Sequence, residues 1–161
     1  MSKAVFISSV PPFLLKTADN PEGVDGSVFK GIEKAIAADR PAFLSTFLAD
    51  FYNVDLLGGK RISDQAVQCS WNVAVGASPK GTLDCVAAWG TDFRKDLARI
   101  DVPTLVIHGD ADRILPIAAT GSRTQKAVKG ARLAVVEGGP HGLIWTHAEK
   151  VNPELVEFLG R

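Results

Sequence analysis

The chain has 161 residues, 46% of them hydrophobic and 22% charged, which is enough for one ordinary hydrophobic core. Its 18 basic and 18 acidic residues balance without a long run of either sign, which argues against a nucleic-acid or anionic-membrane partner. No apolar stretch approaches the roughly 18 residues that span a bilayer, and the N-terminus shows no signal-peptide cleavage pattern. We therefore expect a cytoplasmic protein with no membrane or nucleic-acid partner.

Three short apolar runs predict buried strands. The first is Ala4–Ile7, the second covers residues 105–107, and the third covers residues 133–136. Strands that are apolar on both faces belong to parallel sheets that helices cover on both sides. A helix predicted at residues 117–128 would join the second strand to the third as a right-handed β-α-β unit.

The segment between the first and second strands differs in character. Residues 21–98 repeat apolar side chains at helical spacing, without a strand pattern, over too great a length for a simple crossover. We predict a helical cap subdomain at residues 21–98 and a core formed by residues 1–20 and 99–161. The phenylalanines of the cap are expected mainly to pack in a hydrophobic core, although some of them could face a substrate pocket. Three tryptophans are also expected to pack: Trp71, Trp89 and Trp145.

The two cysteines, Cys69 and Cys85, stand in apolar, helix-like contexts and are predicted to be buried thiols rather than a disulfide framework. With three scattered histidines, the chain shows no spacing typical of a metal site. Residues 76–81, Gly-Ala-Ser-Pro-Lys-Gly, superficially resemble a serine elbow or a phosphate loop. They follow a helical pattern rather than a strand, so we predict a turn between helices.

Polar residues follow the second and third strands where each strand ends. Asp110 and Asp112 come after the second strand, and His141 comes after the third. Neighbouring parallel strands lie about 4.8 Å apart and end at the same edge, so an Asp and a His there can form a hydrogen bond. Such a carboxylate would fix the imidazole tautomer during acyl transfer. On the residues alone, either aspartate could be the acid, and a simple turn-capping role is an equal alternative.

The two remaining histidines have structural interpretations. His108 lies at the strand end itself and is predicted to bond to nearby backbone. His147 lies in the first turn of a helix and is predicted to be exposed or packed against the helix start.

Residues 102–116, VPTLVIHGDADRILP, resemble the penultimate strand and acid loop of α/β-hydrolases, and residues 139–143, GPHGL, resemble the histidine loop of that family. Residues 9–12, 88–93 and 141–147 are similar to the cofactor-free haloperoxidase and aryl-esterase branch. The resemblance runs from Lys3 to Gly160. It implies the C-terminal part of an α/β-hydrolase fold, with three parallel strands, flanking helices and an inserted helical cap.

The resemblance also implies roles for particular residues. Asp112 would be the acid of a Ser-His-Asp triad and His141 the general base. Ester hydrolysis through an acyl-serine, with perhydrolysis by hydrogen peroxide as a side activity, would need no metal or organic cofactor. The substrate would be a small ester or carboxylic acid, and its acyl pocket would be lined by Val10, Phe29, Ile114 and Leu143.

The chain contains no Gly-x-Ser-x-Gly segment that could supply the nucleophile. The resemblance places that serine and the oxyanion-hole donors before the strand that begins at Ala4. We therefore expect the chain to act only with an N-terminal half that supplies the serine, and to be inactive alone.

Two alternatives remain open at this stage. The chain could be a non-catalytic, truncated fragment that self-associates, or pairs with an N-terminal half, through an exposed first strand. It could also use Ser8 or Ser9 as the nucleophile, which is the weakest possibility because neither serine follows the strand-to-helix pattern of an elbow.

Overall fold

The computed structural model describes residues 2–160 and contains one parallel three-stranded sheet. The strands are β1 (Ala4–Ile7), β2 (Thr104–Gly109) and β3 (Arg132–Val136), and β2 lies between the other two. In the register, Ala4 pairs with Thr104 and Val106 pairs with Leu133. The three predicted strands and their parallel arrangement are confirmed, with each boundary within two residues.

The helices flank the sheet and fill the long connection between β1 and β2. That connection contains α1 (Gly26–Phe51), α2 (Val54–Leu57), α3 (Asp64–Gly76), α4 (Pro79–Ala88) and α5 (Arg94–Leu97). The β2–β3 connection contains α6 (Gly121–Ala127), and β3 is followed by α7 (Leu143–Thr146) and α8 (Ala148–Gly160). No helix in the described part of the chain is both long and apolar enough to cross a membrane.

Hydrophobic clusters cover both faces of the sheet, which explains why its strands are apolar throughout. On one face α7 and α8 pack against the sheet, with a buried cluster of Leu105, Ile107, Val136, Leu143 and Val151. On the other face, Phe6 of β1 packs against Leu97 of α5 and against Val128 and Ala131, which follow α6. Because Leu97 joins this sheet cluster, the last part of the helical connection packs with the core. The division into a cap at 21–98 and a separate core stays a prediction.

Polar side chains at the helix starts explain where the helices of the connection begin. Asp25 accepts a hydrogen bond from the Ser27 N–H at 2.9 Å, and Ser63 accepts one from the Ala66 N–H at 3.2 Å. Ser78 caps α4 in the same way, so the predicted inter-helix turn at residues 76–81 is confirmed. Inside α1, Asp39 leaves the helical conformation and caps the following turn, ahead of a proline.

Two predictions about local structure are wrong. The helix expected at residues 117–128 covers only α6, because Thr120 has a non-helical backbone and the preceding residues form turns. Cys69 and Cys85 are exposed rather than buried. In α3 the half-buried Val67 and Trp71 face the hydrophobic cluster, and Cys69 lies between them in sequence, on the outer side of the helix.

Strand β1 is an outer strand of the sheet formed by the described residues, as predicted. Its Ala4 N–H donates to Pro103 O and its Ser8 N–H donates to Ile107 O, both at 3.0 Å. Because successive residues of a strand point their N–H groups in opposite directions, Val5 and Ile7 direct theirs to the open side.

The ends of β2 and β3 approach so closely that a side chain at Gly109 would overlap the Gly139 backbone. We predict that Gly109→Ala lowers the free energy of unfolding by about 1–3 kcal/mol, because backbone must move to admit the methyl group. The matched control is Gly31→Ala in α1, where a methyl group meets nothing within 4 Å. Gly31→Ala should raise the free energy of unfolding by about 0.5–1 kcal/mol, because alanine favours a helix more than glycine does. Urea unfolding measures both, and equal effects at the two positions would contradict the interpretation.

Candidate active site

The loops after β2 and β3 bring Asp112 and His141 into direct contact. The distance from His141 Nδ1 to Asp112 Oδ2 is 2.8 Å, and only 6% of the Asp112 surface is exposed. A carboxylate only accepts hydrogen bonds, so His141 Nδ1 is the donor and Nε2 is left as the basic nitrogen of the ring. This is the geometry in which an acid holds an imidazole ready to accept a proton.

The structure separates the two candidate acids by their contacts. Asp110 is exposed, and its Oδ1 accepts a hydrogen bond from the Gly138 N–H at 2.7 Å. It therefore joins its own loop to the loop after β3. Asp112 is the aspartate whose carboxylate contacts the His141 ring.

The backbone after Asp112 folds around its carboxylate. Oδ1 accepts hydrogen bonds from the N–H groups of Ile114, at 2.9 Å, and Leu115, at 2.8 Å. This local turn is the reason that Asp112 keeps one orientation, with Oδ2 directed at His141.

His108 is a second histidine in contact with the acid. It is fully buried, and its Nε2 lies 2.8 Å from Leu115 O and 3.2 Å from Asp112 Oδ2. Both neighbours are acceptors, so Nε2 carries the proton. The predicted bond to nearby backbone is confirmed, but the contact with Asp112 was missed. His108 and Asp112 are four residues apart, and outside a helix this spacing does not predict that two side chains meet.

His147 is buried, at 3% exposure, and its ring bonds to Thr146 Oγ1 at 2.8 Å. Its carbonyl accepts from two N–H groups of the first turn of α8, so it packs at the helix start, one of the two predicted placements. Burial, together with the positive charge of Arg61, lowers the pKa of His147.

Burial alone would raise the pKa of Asp112, because it disfavours the charged carboxylate. Hydrogen bonds from His108, His141 and the Leu115 N–H outweigh that effect and lower the pKa from 3.8 to about 2. Asp112 is therefore ionised at neutral pH, as a group that stabilises an imidazolium must be.

An apolar cavity of about 400 Å³ opens at His141. Three of the four predicted pocket residues, Val10, Phe29 and Ile114, lie in its wall. The fourth, Leu143, does not: it is fully buried in the cluster beneath the sheet, because α7 turns its first side chain toward Val136 and Val151. The other lining residues are Ser8, Ser9, Leu14, Val24, Val28, Ile32, Phe47, Asp50, Trp89, Arg113 and Leu115.

Two of these wall residues are among the aromatic side chains expected mainly to pack in hydrophobic cores. Phe47 of α1 and Trp89 at the end of α4 both face the cavity. Helical spacing identifies the inner face of such a helix, but it does not distinguish a packed core from the wall of a cavity. Trp145, also predicted to pack, is 56% exposed.

A second depression, of about 440 Å³, lies between α1 and α3 and is lined by Pro41, Leu48, Asp64 and Trp71 among others. It contains neither His141 nor Asp112, so the cavity at His141 is the candidate active site. Within residues 2–160, no three His, Cys, Asp or Glu side chains are placed to hold a metal ion.

Comparison with known proteins agrees with this architecture. The α/β hydrolase fold family matches residues 1–148. The chain belongs to the α/β-hydrolase family. A bromoperoxidase from Bacillus anthracis superposes with a TM-score of 0.93 at 41% identity, covering 99% of this chain and 58% of that one. This similarity confirms the predicted resemblance to the haloperoxidases.

Two relatives extend the comparison. A Synechocystis protein assigned to the non-heme chloroperoxidases is 64% identical over 159 residues, covering 99% of this chain and 58% of its own length. A bifunctional esterase/perhydrolase of Acinetobacter calcoaceticus is 34% identical, with the same coverage. The chain thus spans about 58% of the length of these relatives, which agrees with the predicted C-terminal portion of the fold.

The low pKa of Asp112 leads to a testable pH dependence of stability. A folded-state pKa of about 2, below the usual 3.8, stabilises the fold above about pH 4, and this contribution is lost as the pH falls toward 2. Asp112→Asn cannot ionise and lacks this component. When the pH falls from about 5 to about 3, we predict that the free energy of unfolding decreases in both proteins. The decrease should be about 1 kcal/mol smaller in Asp112→Asn than in the parent chain. Urea unfolding at both pH values measures it, and parallel pH profiles would contradict the assignment.

Proposed function

We propose that these 161 residues supply the acid, Asp112, and the general base, His141, of a serine-dependent ester hydrolase, with the nucleophile coming from an N-terminal segment outside them. The observation that carries the proposal is the 2.8 Å bond between His141 and the buried Asp112, at the wall of an apolar cavity. The sequence contributes no Gly-x-Ser-x-Gly of its own.

In the proposed reaction, His141 Nε2 takes the proton of the serine hydroxyl as the serine oxygen attacks the ester carbonyl. Asp112 stabilises the imidazolium that forms. The imidazolium then returns the proton to the leaving alcohol, and an acyl-serine remains. Water attacking the acyl-serine releases the carboxylic acid, and hydrogen peroxide attacking it releases the peracid. His141 accepts the proton of the attacking molecule in either case and returns it to the serine.

The cavity at His141 is suited to a substrate whose acyl group is small and uncharged. Most of its wall is apolar, and hydrophobic walls bind apolar groups by excluding water. Among residues 2–160, the one cationic side chain in the wall is Arg113, which bonds to both carboxylate oxygens of Asp55, at 2.8 and 3.0 Å. Its charge is thus compensated, so the described wall offers no free cation for an anionic substrate. The name of the Acinetobacter relative supports both water and peroxide as acyl acceptors.

We also infer that residues 21–98 act as a cap on this cavity. Helix α1 contributes Val28, Phe29 and Phe47 to the wall, and Trp89 follows α4. The helical connection therefore encloses the acyl side, while the loops after the strands supply Asp112 and His141.

The test mixes the chain with the remaining N-terminal part of the Synechocystis relative, chosen for its 64% identity. We expect p-nitrophenyl acetate hydrolysis only in the mixture, and His141→Ala to reduce it by about 10³-fold or more, because the base is lost. The control is Gln68→Ala, which alters the wall of the depression between α1 and α3 and should leave turnover unchanged. Turnover by the chain alone that is lost in Ser8→Ala or Ser9→Ala would instead favour one of those serines as the nucleophile.

A second candidate function, association through β1, is supported by a different observation. Val5 and Ile7 direct their N–H groups to the open side of an outer strand, which is a template for another strand. The partner would be a second copy of the chain or an N-terminal half.

Val5→Pro tests this second candidate, because it removes one outward N–H while keeping the bonds from Ala4 and Ser8 to β2. If the strand mediates association, size-exclusion chromatography at micromolar concentration should show dimers or larger species for the chain and monomers for Val5→Pro. Val5→Thr retains the N–H and serves as the control. A chain that is monomeric from the start would remove support for self-association.

A further inference from the structure

The end of α1 contacts both loops of the candidate site through neighbouring residues. Asn53, which follows α1, donates from Nδ2 to Ala111 O in the acid loop at 2.9 Å. The carbonyl of Phe51 accepts a hydrogen bond from the Gly142 N–H in the histidine loop at 2.8 Å. A single turn of chain in the helical connection thus bonds to the residue before Asp112 and to the residue after His141.

The side chains of this segment also enclose the histidine. The Phe51 ring meets the His141 ring edge to face, with 4.8 Å between the ring centroids. Tyr52 packs so closely on Gly142 that any side chain at position 142 would overlap its ring. The hydroxyl of Tyr52 bonds to Ser70 Oγ at 2.9 Å and so stays within the helical connection.

Asn53 is suited to hold this position. It has a left-handed backbone conformation, with φ 48° and ψ 52°, which asparagine adopts more readily than most residues. Its side chain is buried, at 1% exposure for the residue. A buried amide donor without an acceptor is costly, so the bond to Ala111 O is strongly favoured over an open arrangement.

The two loops are also bonded to each other beside this segment. The Ala111 N–H donates to Gly139 O at 3.1 Å, so Ala111 joins Asn53 on one side and the histidine loop on the other. The end of α1 is thus hydrogen-bonded to both loops that carry the Asp112–His141 pair.

We propose that Asn53 and Phe51 are positioning residues, which hold the acid and histidine loops in the relative placement that keeps His141 Nδ1 bonded to Asp112. The role of this placement in ester hydrolysis rests on the proposed function, but the placement itself is a property of this chain. The helical connection thus acts on the His141 ring as well as on the acyl side of the cavity.

The state of the His141 ring in the folded chain gives a direct test. At about pH 8, ¹⁵N NMR should show the tautomer with the proton on Nδ1, identified by loss of its signals in His141→Gln. Asn53→Gly keeps the left-handed conformation accessible and removes the bond to Ala111 O. We expect the Nδ1 proton to exchange with solvent about fivefold faster, the effect of losing one ordinary hydrogen bond, and the Nε2–H tautomer to gain population.

Tyr52→Phe is the matched control, because it removes a hydrogen bond of the same segment that stays within the helical connection. It should leave the exchange rate and the tautomer unchanged. Phe51→Leu removes the ring on His141 and keeps the backbone bond to Gly142, and it should also speed exchange.

Folded Asn53→Gly and Phe51→Leu variants that match Tyr52→Phe in both signals would overturn the proposal. If Asn53→Gly does not fold, Phe51→Leu decides in the same way. None of these signals depends on ester turnover, so an inactive mixture with the N-terminal segment would count against the proposed function and leave this inference standing.

Discussion

The buried carboxylate of Asp112 is the interaction on which the rest of the site depends. An ionised group at 6% exposure is costly unless its lone pairs are occupied. Here two backbone N–H groups occupy Oδ1, and His108 and His141 share Oδ2. Each group that donates a hydrogen bond to this carboxylate is thereby held in one orientation. Asp112 therefore fixes the turn after β2, the tautomer of His108 and the orientation of His141.

This arrangement requires the ends of two strands to come together more closely than side chains normally permit. Gly109 and Gly139 meet backbone to backbone, and Gly121 leaves space for the buried ring of His108. The glycines thus have a packing role that is distinct from loop flexibility. They let the acid and histidine loops lie against each other, and Asp110 then joins those loops from the outside through the Gly138 N–H.

Local sequence patterns were sufficient for the strands and for the two loops, because each depends on neighbours in the chain. Apolar runs ending in glycine mark where β2 and β3 stop, and parallel strands place the following residues at one edge. The pairing of His108 with Asp112 and the placement of Leu143 beneath the sheet depend on tertiary contacts, for which four-residue spacing and residue type carry no signal. The exposed Cys69 shows the same limit, since an apolar stretch does not reveal which face of a helix turns inward.

The catalytic proposal and the association proposal concern the same edge of the molecule. Val5 and Ile7 leave backbone donors on the open side of β1, and directly after this strand the buried hydroxyls of Ser8 and Ser9 find no partner among the described residues. Both serines also line the cavity at His141. A strand added to β1 would satisfy the open ladder and end beside that cavity. If that strand belongs to a segment that carries a serine nucleophile, its hydrogen bonds to β1 would place the serine near His141. The same hydrogen bonds to β1 could instead join two copies of the chain.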